Sequence, residues 1–206
     1  MPIRLNGVDK PSTANVYQAG IGTYHLADDP TLYEPQRSNN FEFVCDLNGI
    51  IRAGFQGTES NAVIPNAQEI LRFSVSQSSV PHFSQSVISI KRGNTSMKFA
   101  GAIEFPEGTV AINDYIGADS KAILMAWQNL SGNVRTEKVG LAADYKRDAY
   151  LVEYTPDYQV VRQWVLKGCW ISNVSEDAYN SESNEKRLVT ATIQYDRAYI
   201  DTTESL

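Results

Sequence analysis

The stretch Ala149 to Val174, AYLVEYTPDYQVVRQWVLKGCWISNV, decides the fold class. Apolar and polar residues alternate on both sides of Thr155-Pro156-Asp157-Tyr158, where Pro at the second turn position and Asp at the third suit a type I turn. The segment reads as a long β-hairpin followed by one more extended piece. Leu151 and Glu153 on one arm, and Val161, Gln163 and Val165 on the other, cannot all be buried, so each arm has one wet face and one dry face. Such a sheet needs a partner for its dry side.

Downstream, Ser175 to Asn184 (SEDAYNSESN) is polar and acidic and reads as a solvated loop. Arg187 to Ile200 reads as a closing strand, with Val189, Ala191, Ile193 and Tyr195 opposed to Thr190, Thr192, Gln194 and Asp196. Upstream lies the one segment of clear helical period. Asp119 can cap it, Ile123, Ala126, Trp127 and Leu130 share a stripe, and Gly132 sits where a C-terminal glycine belongs. Before it, Thr109 to Asn113 is a short β-branched run, and Ser86 to Lys91 with Ser96 to Ala100 form a hairpin about Gly93-Asn94. Leu71, Phe73 and Val75 alternate with Arg72, Ser74 and Ser76, predicting a further strand that stops by Pro81. Phe41 to Leu47 alternates strictly, with Phe41, Phe43, Cys45 and Leu47 on one face and Glu42, Val44 and Asp46 on the other. Asn48-Gly49 then gives a hairpin signal, and Gly54 to Pro65 a loop.

The expectation is a mainly β fold, an antiparallel β-sandwich or barrel of seven to nine strands with one flanking α-helix and long loops. Its core should include Phe41, Phe43, Ile123 and Trp127, with Trp164 and Trp170 packed from their strand. Residues 1–40 are different, because Pro2, Pro11, Pro30 and Pro35 interrupt any helix and no period persists. So long a stretch is no idle connection. Tyr17, Tyr24, Leu26, Leu32 and Tyr33 favour an extended arm that orders against another molecule over a disordered tail. The predicted division is an N-terminal arm over 1–40 and a β-domain over 41–206.

Hydrophobic content of 42% and charged content of 20% suit a globular chain. The net charge of -6 is unevenly placed: residues 1–103 hold 8 acidic and 8 basic side chains, residues 104–206 hold 16 and 10. That balance argues against a sequence-reading DNA binder, which needs a basic face. Cys45 and Cys169 lie in apolar runs without a CxxC partner and read as buried reduced thiols, an internal bridge being the alternative. With no apolar leader segment and no run of 18 apolar residues, the expectation is a soluble, cytosolically made chain that does not insert in a membrane. His25 and His82 stand in no HxxxH, HExxH or GxSxG context. Asp144, Asp148 and Asp157 lack calcium-loop spacing, and no phosphate-binding glycine motif is present. No catalytic, metal or cofactor site is predicted, and the sequence is read as that of a non-enzyme.

Taken in order, FEFVCDL, SVSQSSVP, ISIKRGNTSMKFAG, DYIGADSKAILMAWQNLSG, ADYKRDAYLVEYTPDYQVVRQWVLKGCWISNV and ATIQYDRAYI resemble the tail tube proteins of contractile-tailed bacteriophages, over Asn40 to Ile200. The most specific pieces are WVLKGCW, from Trp164 to Trp170, and YDR, from Tyr195 to Arg197. The resemblance implies a β-sandwich-like barrel with a flanking helix that assembles into hexameric rings by continuing one sheet into the next. Stacked rings would form the hollow tube of the virion tail, assembled in the host cytoplasm, through which phage DNA is ejected. Implied partners are further copies of the chain, the tail sheath protein, the tape measure protein, and the baseplate and tail terminator proteins, with transient passage of double-stranded DNA. The inner tube of a type VI secretion or other contractile injection system is the alternative of the same kind. A monomeric β-barrel that binds a small ligand is the alternative of a different class.

In this picture the arm 1–40, or the loops Gly54 to Pro65 and Ser175 to Asn184, would contact the neighbouring ring. The wet-face residues Glu42, Asp46, Thr192, Gln194 and Asp196 are the candidates to line the lumen. An acidic or neutral wall would keep DNA, with one charge per about 1.7 Å, from adhering. Lys91, Arg92 and Lys98 on the central hairpin weaken that argument if they face the lumen, and would meet the sheath if they face outward. At a solvated tip beside Gly93-Asn94 they would do neither.

Overall fold

The computed structural model describes residues 3–5, 8–10, 35–47, 64–118, 120–182 and 184–201. The chain divides into two units, Met1–Ser38 and Asn39–Leu206. In the first, β1 (Ile3–Leu5) and β2 (Val8–Lys10) pair antiparallel, with Ile3 opposite Lys10. Three residues per strand are too few to register a period in the sequence. The expectations that rest on Tyr17, Tyr24, His25, Leu26, Leu32, Tyr33, Asn48-Gly49, most of Gly54 to Pro65, and Asp119 lie outside the described residues.

The second unit runs β3 (Phe41–Cys45), α1 (Ala67–Ser74), β4 (Val75–Ser78), β5 (Ser84–Arg92), β6 (Thr95–Glu104), β7 (Gly108–Asn113), α2 (Ser120–Ser131), α3 (Ala142–Tyr145), β8 (Arg147–Tyr154), β9 (Val160–Glu176), β10 (Leu188–Gln194) and β11 (Arg197–Asp201). The fold is mainly β and its described strand pairs are all antiparallel. Seven strands make one sheet in the order β3-β8-β9-β10-β7-β4, with β11 also on β9, while β5 and β6 form a sheet of their own.

The turn between β8 and β9 carries the type I bond, Tyr158 N–H donating to Thr155 C=O at 3.0 Å, inside a wider bond from Thr155 N–H to Gln159 C=O at 2.8 Å. Tyr158 closes this three-residue loop in the left-handed region, at φ 65°. The strand that follows is 17 residues long and serves two neighbourhoods. Val160 to Cys169 pair with β8, Gln163 to Lys167 with β11 on the other edge, and Trp170 to Glu176 with β10. Gly168, at φ 68°, stands at the changeover. A Cβ there would collide with the Asp196 carboxylate, whose own N–H donates to Lys167 C=O at 2.9 Å.

That close approach corrects the reading of Arg187 to Ile200 as one strand. β10 and β11 follow the same edge of β9 but break at Tyr195-Asp196, opposite the left-handed glycine. A second correction concerns Leu71 to Val75. The alternation is real, yet Ala67, Leu71 and Ser74 are the buried positions and Phe73 is exposed, which is helical spacing, so α1 forms first and the strand begins at Val75. The described residues accordingly hold three helices and eleven strands, more of each than expected. Ser175 and Glu176 extend β9 into the stretch read as loop.

The core gathers Phe43, Cys45, Leu71, Val110, Ile112, Ile123, Leu124, Trp127, Leu151, Leu166, Cys169 and Ile171 with the inward residues of β10. Phe41 and Trp164 pack against it partly buried, and Trp170 meets the Tyr145 ring edge-on at 5.7 Å. α2 lies on β9. Trp127 Nε1 donates to Tyr145 C=O at 2.8 Å, Gln128 Nε2 to Ser172 C=O at 3.3 Å, and Ser120 Oγ to Asn113 C=O at 3.0 Å. Gly132 follows the helix without the left-handed conformation expected of it, and instead bridges Val139 as an isolated β-pair.

Candidate functional site

The β5-β6 hairpin is built for a surface other than its own. Its register sets Ile88 opposite Phe99, Ile90 opposite Met97 and Arg92 opposite Thr95 on one face, and Val87 opposite Ala100, Ser89 opposite Lys98 and Lys91 opposite Ser96 on the other. Gly93, at φ 63°, and Asn94 close it, as a two-residue loop with glycine at the first central position requires. Near the base, Gly101 lies at a bulge where a Cβ would strike the Ser86 backbone and hydroxyl.

The apolar face is half open. Ile88 is 53% exposed, Ile90 54%, Met97 45% and Phe99 48%, and Phe83 just before β5 is as open. Covering these four half-exposed side chains is worth about 1 kcal/mol each. Neither β5 nor β6 has a further strand beside it among the described residues, so both edges offer unpaired backbone groups. A two-stranded ribbon of this kind is marginal alone in water. On the main sheet β3, β4 and β11 are likewise end strands.

The five wet-face residues fall in distinct environments. Glu42 accepts from Arg72 at 2.7 Å and from Tyr154 Oη at 3.0 Å, clamping α1 to β3 and β8. Burial first, and then that bond to the carboxylate, pushes the Tyr154 phenol above its ordinary pKa. Asp196 receives both of its oxygens' bonds from Lys146 at 2.7 Å, beside Gly168. Gln194 donates to Glu107 at 3.0 Å, Thr192 lies on the non-core side of β10, and Asp46 N–H donates to Asp148 C=O at 3.2 Å. Glu42 and Asp196 are held in ion pairs with Arg72 and Lys146.

Several other surface charges of the body are matched. Lys121 pairs with Glu176 at 2.6 Å, Lys167 with Asp148 at 2.6 Å and Arg162 with Glu153 at 3.0 Å. Arg187 bonds Glu176 and stacks on the Tyr179 ring at 4.0 Å, holding the acidic loop down on the sheet. On the hairpin, among the described residues, Lys91, Arg92 and Lys98 meet no carboxylate, and Ser84 to Ile103 contains no acidic residue. Sequence reasoning found the three cations but not the one-sided apolar face. Its signal was there in the pairing of Ile88, Ile90, Met97 and Phe99 about Gly93-Asn94.

Among the described residues no group of three His, Cys, Asp or Glu side chains is placed to hold a metal, and no helix is long and apolar enough to cross a membrane. Cys45 and Cys169 are both buried free thiols. His82 lies in the loop between β4 and β5.

No protein-family model matches the chain, and no curated protein matches it in sequence. Solved structures do match in fold. A chain of the anti-feeding prophage cap, the AFP tube-terminating cap, superposes with a TM-score of 0.58 at 17% identity, covering 86% of this chain and 97% of that one. A chain of the PVC sheath/tube terminator of an extracellular contractile injection system, in the extended state, gives 0.58 at 16%, covering 83% and 99%. A chain of the PVC sheath-tube complex gives 0.54 at 14%, covering 88% and 97%. The chain thus shares the fold of these cap, terminator and sheath-tube chains.

Proposed function

We propose that this chain is a structural tube subunit of a contractile tail, forming hexameric rings that stack into a hollow conduit. The observation that carries the reading is the β5-β6 hairpin, with an exposed apolar face and two open edges. Side-by-side hairpins from successive copies close a ring, remove the edges and bring each apolar face against a neighbouring subunit. The fold shared with sheath-tube and terminator structures supports sheath and terminator proteins as partners. Tape measure and baseplate proteins, residence in a virion tail and ejection of phage DNA belong to the bacteriophage form of the reading. The inner tube of another contractile injection system is its alternative, and a terminating cap is favoured by the matches to cap and terminator chains. Of the wet-face residues Glu42, Asp46, Thr192, Gln194 and Asp196, Glu42 and Asp196 would add little charge to a lumen because Arg72 and Lys146 offset them.

Electron microscopy of the purified chain across a concentration series, with light scattering for mass, tests this. Rings or tubes with a central hole are expected; rings that never stack would select the cap. A monodisperse 22.9 kDa monomer at every concentration would overturn the reading in favour of a ligand-binding barrel.

A further inference from the structure

We infer that the polar face of the β5-β6 hairpin is a phosphate-binding wall for duplex nucleic acid, formed by Lys91 and Lys98 with the hydroxyls of Ser89 and Ser96. The inference rests on the tube reading for where this face points. The apolar face must be covered, and in a ring the material available to cover it is the bodies of the subunits, which surround the hairpins. The opposite face is therefore the one left to the water-filled channel.

What that face carries is set by register. Ser89 pairs with Lys98 and Lys91 with Ser96, so the two ammonium groups lie on one diagonal, each directly across from a hydroxyl. Diagonal neighbours of this kind are about 7–8 Å apart at Cα. Arg92, opposite Thr95, stands on the apolar face and is not part of this site. Neither lysine has a carboxylate partner among the described residues, unlike Lys121, Lys146 and Lys167 on the body, so their charge is free for an outside anion. Ring symmetry would repeat the same diagonal around the channel, presenting evenly spaced cations to a ligand whose charges are themselves evenly spaced.

The class of anion follows from what the face lacks. Towards the base it continues with Val87 and Ala100 and then Gln85 and Ile103, and the hairpin's aromatic residue Phe99 points to the other side. Without a ring to stack bases on, the face offers nothing particular to single strands, which rely on aromatic platforms. It can meet a duplex only through its phosphates, without reading sequence. Two cations per subunit give a weak, screened contact, compatible with passage through the channel and opposite in sign to a repulsive wall.

The test measures binding of a short mixed-sequence DNA duplex to the full chain by anisotropy, over about 50 to 200 mM salt. The parent and the K91Q/K98Q variant are compared, each checked by microscopy for assembly. The expected result is sequence-independent binding whose log-log salt slope is shallower in the variant by about 1.8 per subunit engaged. Equal affinity and slope in parent and variant would overturn the site. Displacement of the duplex by poly-L-glutamate at matched charge concentration would overturn the nucleic-acid assignment. Rings that bind no duplex would sink the site and leave the tube reading intact; a monomer that binds duplex through Lys91 and Lys98 would do the reverse.

Discussion

Tyr158 and Gly168 both adopt left-handed backbone, yet only one is glycine. Tyr158 is a β-turn residue with its ring in solvent, so it carries the strain of an L-residue at φ 65° with no packing to offset it. Tyr158→Gly should stabilise the chain by a few tenths to about 1 kcal/mol, whereas Gly168→Ala should destabilise it by about 2 kcal/mol or more, since strain adds to collision with Asp196. Urea midpoints of the two variants, measured together, check opposite signs from one cause. Pro156-Asp157 made the first turn legible in the sequence. Nothing marked the second, because Gly168 sits inside an unbroken β-run and its partner Asp196 is 28 positions away. The ion pairs that occupy Glu42 and Asp196 were hidden for the same reason: alternation assigns a residue to a face but not to a partner.

Among elements, the hairpins were the legible ones and α1 was not. β5-β6 and β8-β9 announce themselves through local turn chemistry. α1 is a short helix entered from a left-handed Asn66 with no side-chain cap, and Leu71, Phe73 and Val75 imitate a strand across its end. The helix wins because it buries Ala67, Leu71 and Ser74 together, a tertiary gain that no window of sequence displays. The exposure of β5-β6 was equally unreadable, since its apolar content looks like core until one sees what fails to cover it. Ile90→Asp with Phe99→Asp should therefore leave the melting temperature of the isolated chain within a few degrees and abolish ring formation. Thermal unfolding and light scattering on the same sample separate the two effects, and a folded variant that still assembles would move the contact elsewhere.

At the scale of the whole molecule, the buried acids with raised pKa values predict how stability responds to alkali. Burial pushes the Cys169 thiol up to about 12 from 9.0, and Cys45 is raised by burial and then by the charges of Cys169 and Asp46. Tyr154 and Tyr195 are raised as well, burial being the largest cause for each. Each group holds its proton more tightly folded than unfolded, so unfolding releases protons once pH exceeds the unfolded value. Their contribution is whole below pH 9 and is lost as pH rises towards about 12. The urea midpoint should fall across that window, and fall less steeply in the Cys45→Ala, Cys169→Ala double variant. A flat profile would show that the thiols stay accessible to water in the folded chain. The overall class, mainly β and antiparallel with a helix laid on the sheet, was legible because period-2 alternation extends over most of the second unit. The split of β9 between two neighbourhoods was not. That split has a mechanical consequence. One covalent strand crosses from the β8-β11 side of the sheet to the β10-β7-β4 side, so a pull on either side is passed to the other along peptide bonds. Each segment of β9 keeps its own partners, so the load between the two sides falls on the backbone at Gly168 and on the Asp196 N–H to Lys167 C=O bond beside it.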